Sequence, residues 1–307
     1  MNRALTLLLA GVAVSVTACS SASGAPAGDA GSAAAAGTPV AVVASTNVYG
    51  DIVKTIGGDA VAVTSVIDNP DKDPHEYEAD AQTQLAISKA QLVVENGGGY
   101  DDFVDTMLAA GSSKPTVVNV VEVSGYEQEP AEGEFNEHLW YDFATMEKLA
   151  TRLSSDLAAV RPDQATTFQA NATSFTETLQ KLEQGEADIK ADHAGDGGAI
   201  TEPVPVYLLD AAGLENRTPD EFSEAIEEDS DVAPAVLQQT LALLEDKQVK
   251  LLAYNEQTTG PQTDSVLKAA QDNDVAVVPV TETLPEGETY LSWMQKNVDA
   301  VAAGVGG

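Results

Sequence analysis

Cysteine is nearly absent: Cys19 is the only one in 307 residues, which rules out an intramolecular disulfide and a thiolate-rich metal cluster. Basic residues are also scarce. Fifteen Lys and Arg face 49 Asp and Glu, a formal charge of -34, which argues against binding nucleic acid or an anionic membrane surface by electrostatics. Histidine occurs three times, at His75, His138 and His193. No apolar run is long enough to span a bilayer; the longest candidate, Ala4 to Val16, is too short. The motifs H-E-x-x-H, G-x-S-x-G and G-x-x-x-x-G-K-[ST] are missing, so neither zincin nor serine hydrolase nor P-loop chemistry has a local signature here.

The chain has enough apolar residues to fold. At 43% hydrophobic it can fill one large or two ordinary cores, and two lobes of roughly 100 to 130 residues each are expected. Met1 to Cys19 reads as a secretory signal: Arg3 gives the positive start, Ala4 to Val16 the apolar stretch, and Thr17-Ala18-Cys19 a small-residue cleavage site. Val16-Thr17-Ala18-Cys19 also resembles a bacterial lipobox, in which the cysteine becomes the lipidated first residue. Ser20 to Gly37 is almost entirely Ser, Ala and Gly and reads as a flexible tether. The expected division is a signal over 1–19, a tether over 20–38, an N-terminal lobe over 39–141, a linking helical region over 142–193 and a C-terminal lobe over 194–307.

In order, Val40 to Ala44 reads as a buried strand, Val48 to Ile56 as a helix and Val61 to Ile67 as a second strand. A helix over Ala81 to Ala90, a strand over Gln91 to Glu95, a Gly97-Gly98-Gly99 turn, a helix over Tyr100 to Ala110 and a strand over Thr116 to Val121 come next. Ser124 to Asn136 reads as an acidic loop, and Phe143 to Lys190 as helical with a break at Pro162. The second lobe shows a short apolar step at Ala199-Ile200, helices over Tyr207 to Leu214, Ala233 to Glu245 and Asp264 to Ala270, strands over Val249 to Tyr254 and Val275 to Val280, and a last helix over Tyr290 to Ala303. This alternation predicts an α/β fold of two lobes, each a mostly parallel sheet flanked by helices and joined by a long backbone helix, with ligands at the carboxyl ends of the strands. His193 falls in a polar, glycine-rich linker and is expected to be exposed and inert.

Four polar residues sit after predicted strands or at element boundaries: His75, His138, Glu202 and Glu282. Two imidazoles and two carboxylates can hold a divalent transition metal. Separations of 63, 64 and 80 residues match no local metal motif, and among 49 acidic residues accidental pairings are easy.

Several stretches in order resemble the metal-binding solute receptors of bacterial ABC importers, the cluster that carries zinc, manganese or iron. Asp73-Pro74-His75-Glu76-Tyr77 resembles the family's D-P-H-x-[YF], and Asn136-Glu137-His138-Leu139-Trp140 its D-P-H-[VLI]-W. Val93 to Gly98 is similar to its strand and glycine turn, Arg161-Pro162-Asp163 with Asn171-Ala172 to its interrupted backbone helix, and Thr289-Tyr290-Leu291 with Asn297 to its last helix. The resemblance covers roughly Pro39 to Ala303 and implies His75 and His138 as ligands. Where many zinc receptors carry a third histidine this chain has Glu202, and where an aspartate is usual it has Glu282, with Glu256 as the competing fourth corner. The resemblance further implies a non-enzymatic, monomeric lipoprotein, held to the outer side of the cell membrane through Cys19, that delivers zinc or manganese to an ABC permease. A secreted metal-dependent hydrolase and a surface adhesin of the same fold are the alternatives. Because both histidines must be neutral to bind, affinity is expected to fall below about pH 6.

Overall fold

Short segments with both faces buried form the centre of each lobe, rich in valine in the first and in glycine, alanine and leucine in the second. The computed structural model describes residues 37–69, 77, 80–130 and 135–306. Val40 to Thr46 is β1, buried along nearly its whole length, which suits a strand covered by helices on both sides. It leads through α1 (Asn47–Gly57) to β2 (Val61–Ile67), then α2 (Ala81–Lys89), β3 (Leu92–Glu95), α3 (Phe103–Ala110), β4 (Thr116–Asn119) and the short α4 (Val120–Ser124). All pairings are parallel, in the order β2-β1-β3-β4.

The second sheet repeats this plan. It comprises β5 (Gly197–Ile200), β6 (Glu215–Asn216), β7 (Leu251–Asn255) and β8 (Ala276–Val280) in the order β6-β5-β7-β8, again all parallel. Between the sheets run α5 (Phe143–Val160) and α6 (Ala165–His193), separated by a 3-10 turn at Pro162–Gln164. At 29 residues α6 is about 43 Å long. Leu149, Leu153, Leu157, Phe168, Phe175, Leu179 and Leu182 are all buried, and α6 packs against α5, against α1 of the first lobe and against the second lobe. That second-lobe cover consists of α7 (Val206–Ala211), α8 (Asp220–Glu227), α9 (Pro234–Glu245), α10 (Pro261–Asp272) and α11 (Tyr290–Val305). One continuous apolar cluster extends from Val40 in β1 to Val305 in α11.

In each sheet the chain leaves the first strand in two directions: β1 lies between β2 and β3, and β5 between β6 and β7. At such a switch point the loops diverge and leave a crevice beyond the carboxyl ends of the strands. Thr201-Glu202 follows β5 at the second of these points.

Several expected boundaries shift. The strand expected to run to Val121 stops at Asn119, because the Asn119 side chain accepts a 3.1 Å hydrogen bond from the Glu122 amide and starts α4. α6 continues to His193, which is half-buried and faces Asp196 at 3.1 Å, instead of sitting in a linker. The glycines that suggested a linker instead let β5 approach its neighbours: a Cβ on Gly197 would meet the Gln248 carbonyl oxygen at 2.7 Å. β6 and α8 had no expectation at all. Among the described residues no helix is long and apolar enough to cross a membrane.

Candidate metal centre

His138 is completely buried and held by a short local network. The three residues after it, Leu139, Trp140 and Tyr141, form a 3-10 turn whose side chains are all buried and fix the turn in the core. The Asn136 amide sets the ring. Its Oδ1 accepts from the His138 backbone N–H at 3.0 Å, and its Nδ2 donates to the Pro203 carbonyl at 3.0 Å. Both partners have fixed polarity, so the amide orientation is unambiguous. Oδ1 also lies 2.8 Å from His138 Nδ1, which must therefore carry the ring proton. In the neutral ring Nε2 then carries the lone pair, the form in which an imidazole binds a metal.

The Gly97 turn supports the same loop. Asp101 accepts from the Asn96 and Gly97 amides at 2.6 and 2.8 Å, with Gly97 and Gly98 at φ of 80° and 69°, a region few residues other than glycine adopt. Burial pushes the Asp101 carboxyl up to about 6, against the hydrogen bonds that lower it. Asn96, so fixed, donates to the Glu137 carbonyl at 3.0 Å.

Glu202 follows β5 and is 3% exposed; Glu282 follows β8 and is 7% exposed. Asn255 at the end of β7 joins them: its amide donates to Thr201 Oγ1 at 2.9 Å and its Nδ2 to Glu282 Oε1 at 3.0 Å. Gln257 Oε1 accepts from the Glu282 and Thr283 amides at 2.6 and 3.1 Å, fixing the Glu282 loop from the other side. Glu256, the competing carboxylate, is exposed.

The His138 turn meets both of these loops. Asn136 bonds to Pro203, the residue after Glu202, and Tyr141 donates to the carbonyl of Thr281, the residue before Glu282, at 3.0 Å. Asn47, after β1, exchanges two 2.9 Å hydrogen bonds with Leu284. Three of the four predicted corners thus belong to loops that are hydrogen-bonded to one another across the two sheets. His75 and Cys19 lie outside the described residues, and His193 stands apart from this group with Asp196.

One further carboxylate is present that its sequence context did not mark. Glu227 Oε1, from the end of α8, faces His138 Nε2 at 3.5 Å. Among the described residues, Glu137, His138 and Glu227 form the group of potential ligands whose donor atoms gather within 4.8 Å. A signal for α8 exists: Phe222 and Ile226 are four residues apart, after Pro219 and an acidic first turn at Asp220 and Glu221. It is short and lies in a stretch dominated by acidic residues.

Burying carboxylates beside an imidazole is costly unless donors or a cation compensate them. A nitrogen and oxygen donor set without thiolate suits zinc or manganese.

Residues 42–304 match the family described as "Zinc-uptake complex component A periplasmic". The chain is 24% identical over 289 residues to the manganese ABC transporter substrate-binding lipoprotein PsaA of Streptococcus mitis, an alignment covering 89% of this chain and 91% of that one. It is 30% identical over 152 residues to the manganese-binding lipoprotein MntA of Halalkalibacterium halodurans, covering 48% of this chain and 49% of the relative. The fold is similar to that of the periplasmic zinc-binding protein TroA from Treponema pallidum, with a TM-score of 0.71 at 18% identity, over 88% of this chain and 99% of that structure. With a match extending over most of its length, the chain belongs to the ZnuA family.

Proposed function

We propose that the protein is an extracytoplasmic receptor that captures zinc or manganese between two lobes, 39–141 and 194–307, and delivers it to an ABC permease. The observation that carries this reading is the cross-linking of the His138, Glu202 and Glu282 loops through Asn136, Tyr141 and Asn255. Family membership and the names of the relatives support it. His75, His138, Glu202 and Glu282 are the proposed ligands, and Glu282 is preferred to Glu256 because it is buried while Glu256 is exposed. Glu227 supplies a further oxygen donor on the Nε2 side of His138. The region 142–193 is the proposed spine: α6, packed along most of its length, restricts relative motion of the lobes to small tilts. The mature chain is proposed to be a monomer anchored by a lipid on Cys19, acting by capture and release and not by catalysis.

Metal analysis of the purified protein beside a His75→Ala, His138→Ala double variant tests this. Loss of the bound metal in the variant is expected. Unchanged metal content sinks the receptor reading, and a hydrolytic activity that disappears with the metal favours an enzyme. Competition between zinc and manganese for the apo-protein assigns the cargo.

A further inference from the structure

Next to the far end of the His138 turn, at Tyr141, a cavity of about 260 Å3 opens where the start of α5, the later half of α6 and α7 meet. Its described lining includes Asp142, Glu183 and Glu186 together with Tyr141 and Tyr207, and no lysine, arginine or histidine. Glu183 and Glu186 are three residues apart on α6 and share one face. Glu186 is only 6% exposed, and its Oε1 has no hydrogen-bond partner among the described residues. Glu147, one turn into α5, also has a buried Oε1 without a partner among them and acts electrostatically on Glu183. Asp142 already accepts from Tyr126 at 3.0 Å and from Thr145 at 2.5 Å.

Burial pushes Glu186 up to about 8, and the neighbouring Glu183 and Asp142 push it further in the same direction. Glu183 is raised as well, by burial and then by Glu147 and Asp142. Each contribution on this face is repulsive. Burying a carboxylate without a partner is among the costlier things a core can hold. A cation in the cavity would offset each of these penalties.

We infer that this cavity is a second cation site, distinct from the interlobe centre, that takes a hard, partly hydrated divalent cation of the calcium or magnesium type on Glu186, Glu183 and Asp142. The donors are all oxygen, without imidazole or thiolate, which selects against softer metals. Oxygens that all bind one ion at about 2.4 Å lie within about 4.8 Å of one another; these three carboxylates are not gathered so closely, so the ion reaches at least one of them through water. A volume of 260 Å3 holds an ion with several waters at about 30 Å3 each. Bound there, the ion ties the start of α5 to the later half of α6.

The test uses the full mature chain carrying His138→Ala, so that the interlobe centre does not contribute. Equilibrium dialysis with calcium and with magnesium, in salt sufficient to screen the surface charge, is expected to show one saturable equivalent for at least one of the two ions. Glu186→Gln in the same background should weaken it at least tenfold, while Asp188→Asn, on the exposed side of the same helix, should leave it unchanged. Glu183→Gln, at the more open rim, provides a second variant should Glu186→Gln fail to fold. Absence of a saturable equivalent, or equal binding with and without the glutamate, overturns the inference and leaves Glu186 a buried neutral acid. A parent variant that still holds zinc counts against the interlobe reading and does not affect this result.

Discussion

Replacing Asn136 with alanine removes three interactions at once. The variant loses the acceptor for His138 N–H at 3.0 Å, the acceptor at 2.8 Å that keeps the proton on Nδ1, and the 3.0 Å donor to Pro203 that ties the His138 turn to the Glu202 loop. The imidazole then redistributes between tautomers and is free to rotate. Loss of a partner that orients a metal-binding histidine costs about 10- to 100-fold in affinity. In free energy that is about 1.4 to 2.8 kcal/mol. The apo-protein should lose about 1 to 2 kcal/mol as well, since the buried groups that Asn136 satisfies lose their partner. Zinc and manganese affinities by competition with a chromophoric chelator, and thermal melting of the apo-protein, separate the two effects. Lower apo stability with unchanged metal affinity would refute the argument, because it would make Asn136 a structural lock only and His138 Nε2 not a ligand.

Glu282→Gln should weaken metal binding at least tenfold and Glu256→Gln should leave it unchanged, read by the same competition assay. Tyr141→Phe leaves the Thr281 carbonyl and the Asn297 amide without their 3.0 and 3.4 Å partner, so melting should show a loss of about 1 to 3 kcal/mol together with weaker metal binding through the Glu282 loop. Glu186 titrates at about 8 when folded against 4.5 as its ordinary value, so the folded protein binds the extra proton and stability falls as pH rises through that window. In cation-depleted buffer Glu186→Gln should therefore stabilise by about 3 kcal/mol at pH 7 and by almost nothing at pH 4.5. Denaturant titrations showing an equal effect at both pH values would contradict the uncompensated burial of that carboxylate.

Local repetition is what made parts of this fold legible in the sequence. Val40 to Ala44 and Val61 to Ile67 show their strands by runs rich in β-branched residues, and the Leu149, Leu153 and Leu157 spacing shows α5 as clearly as Pro162 shows its end. The parallel sheets followed from the alternation of these elements. β6 went unseen because two residues carry no period, and α8 because Phe222 and Ile226 are its only fully buried large apolar residues among acidic ones. That omission had a cost at the site, since Glu227 is carried by α8. A histidine beside aromatic residues is visible in a sequence; the carboxylate facing it from the other lobe is not. In a chain with 49 acidic residues, composition gives each glutamate nearly the same weight; the resemblance singled out Glu202 and Glu282, and burial then sets these two apart from Glu256, while Glu227 is marked by its orientation toward His138 alone. Asn136 and Asn255 escaped for a related reason. Each works through groups on distant loops, the Pro203 carbonyl in one case and the Thr201 hydroxyl with the Glu282 carboxylate in the other, so their importance arises only once the chain has folded. Asn136 and Asn255 link the loops that carry His138, Glu202 and Glu282, so the spacing of the proposed donors depends on these asparagines as well as on the proposed ligands.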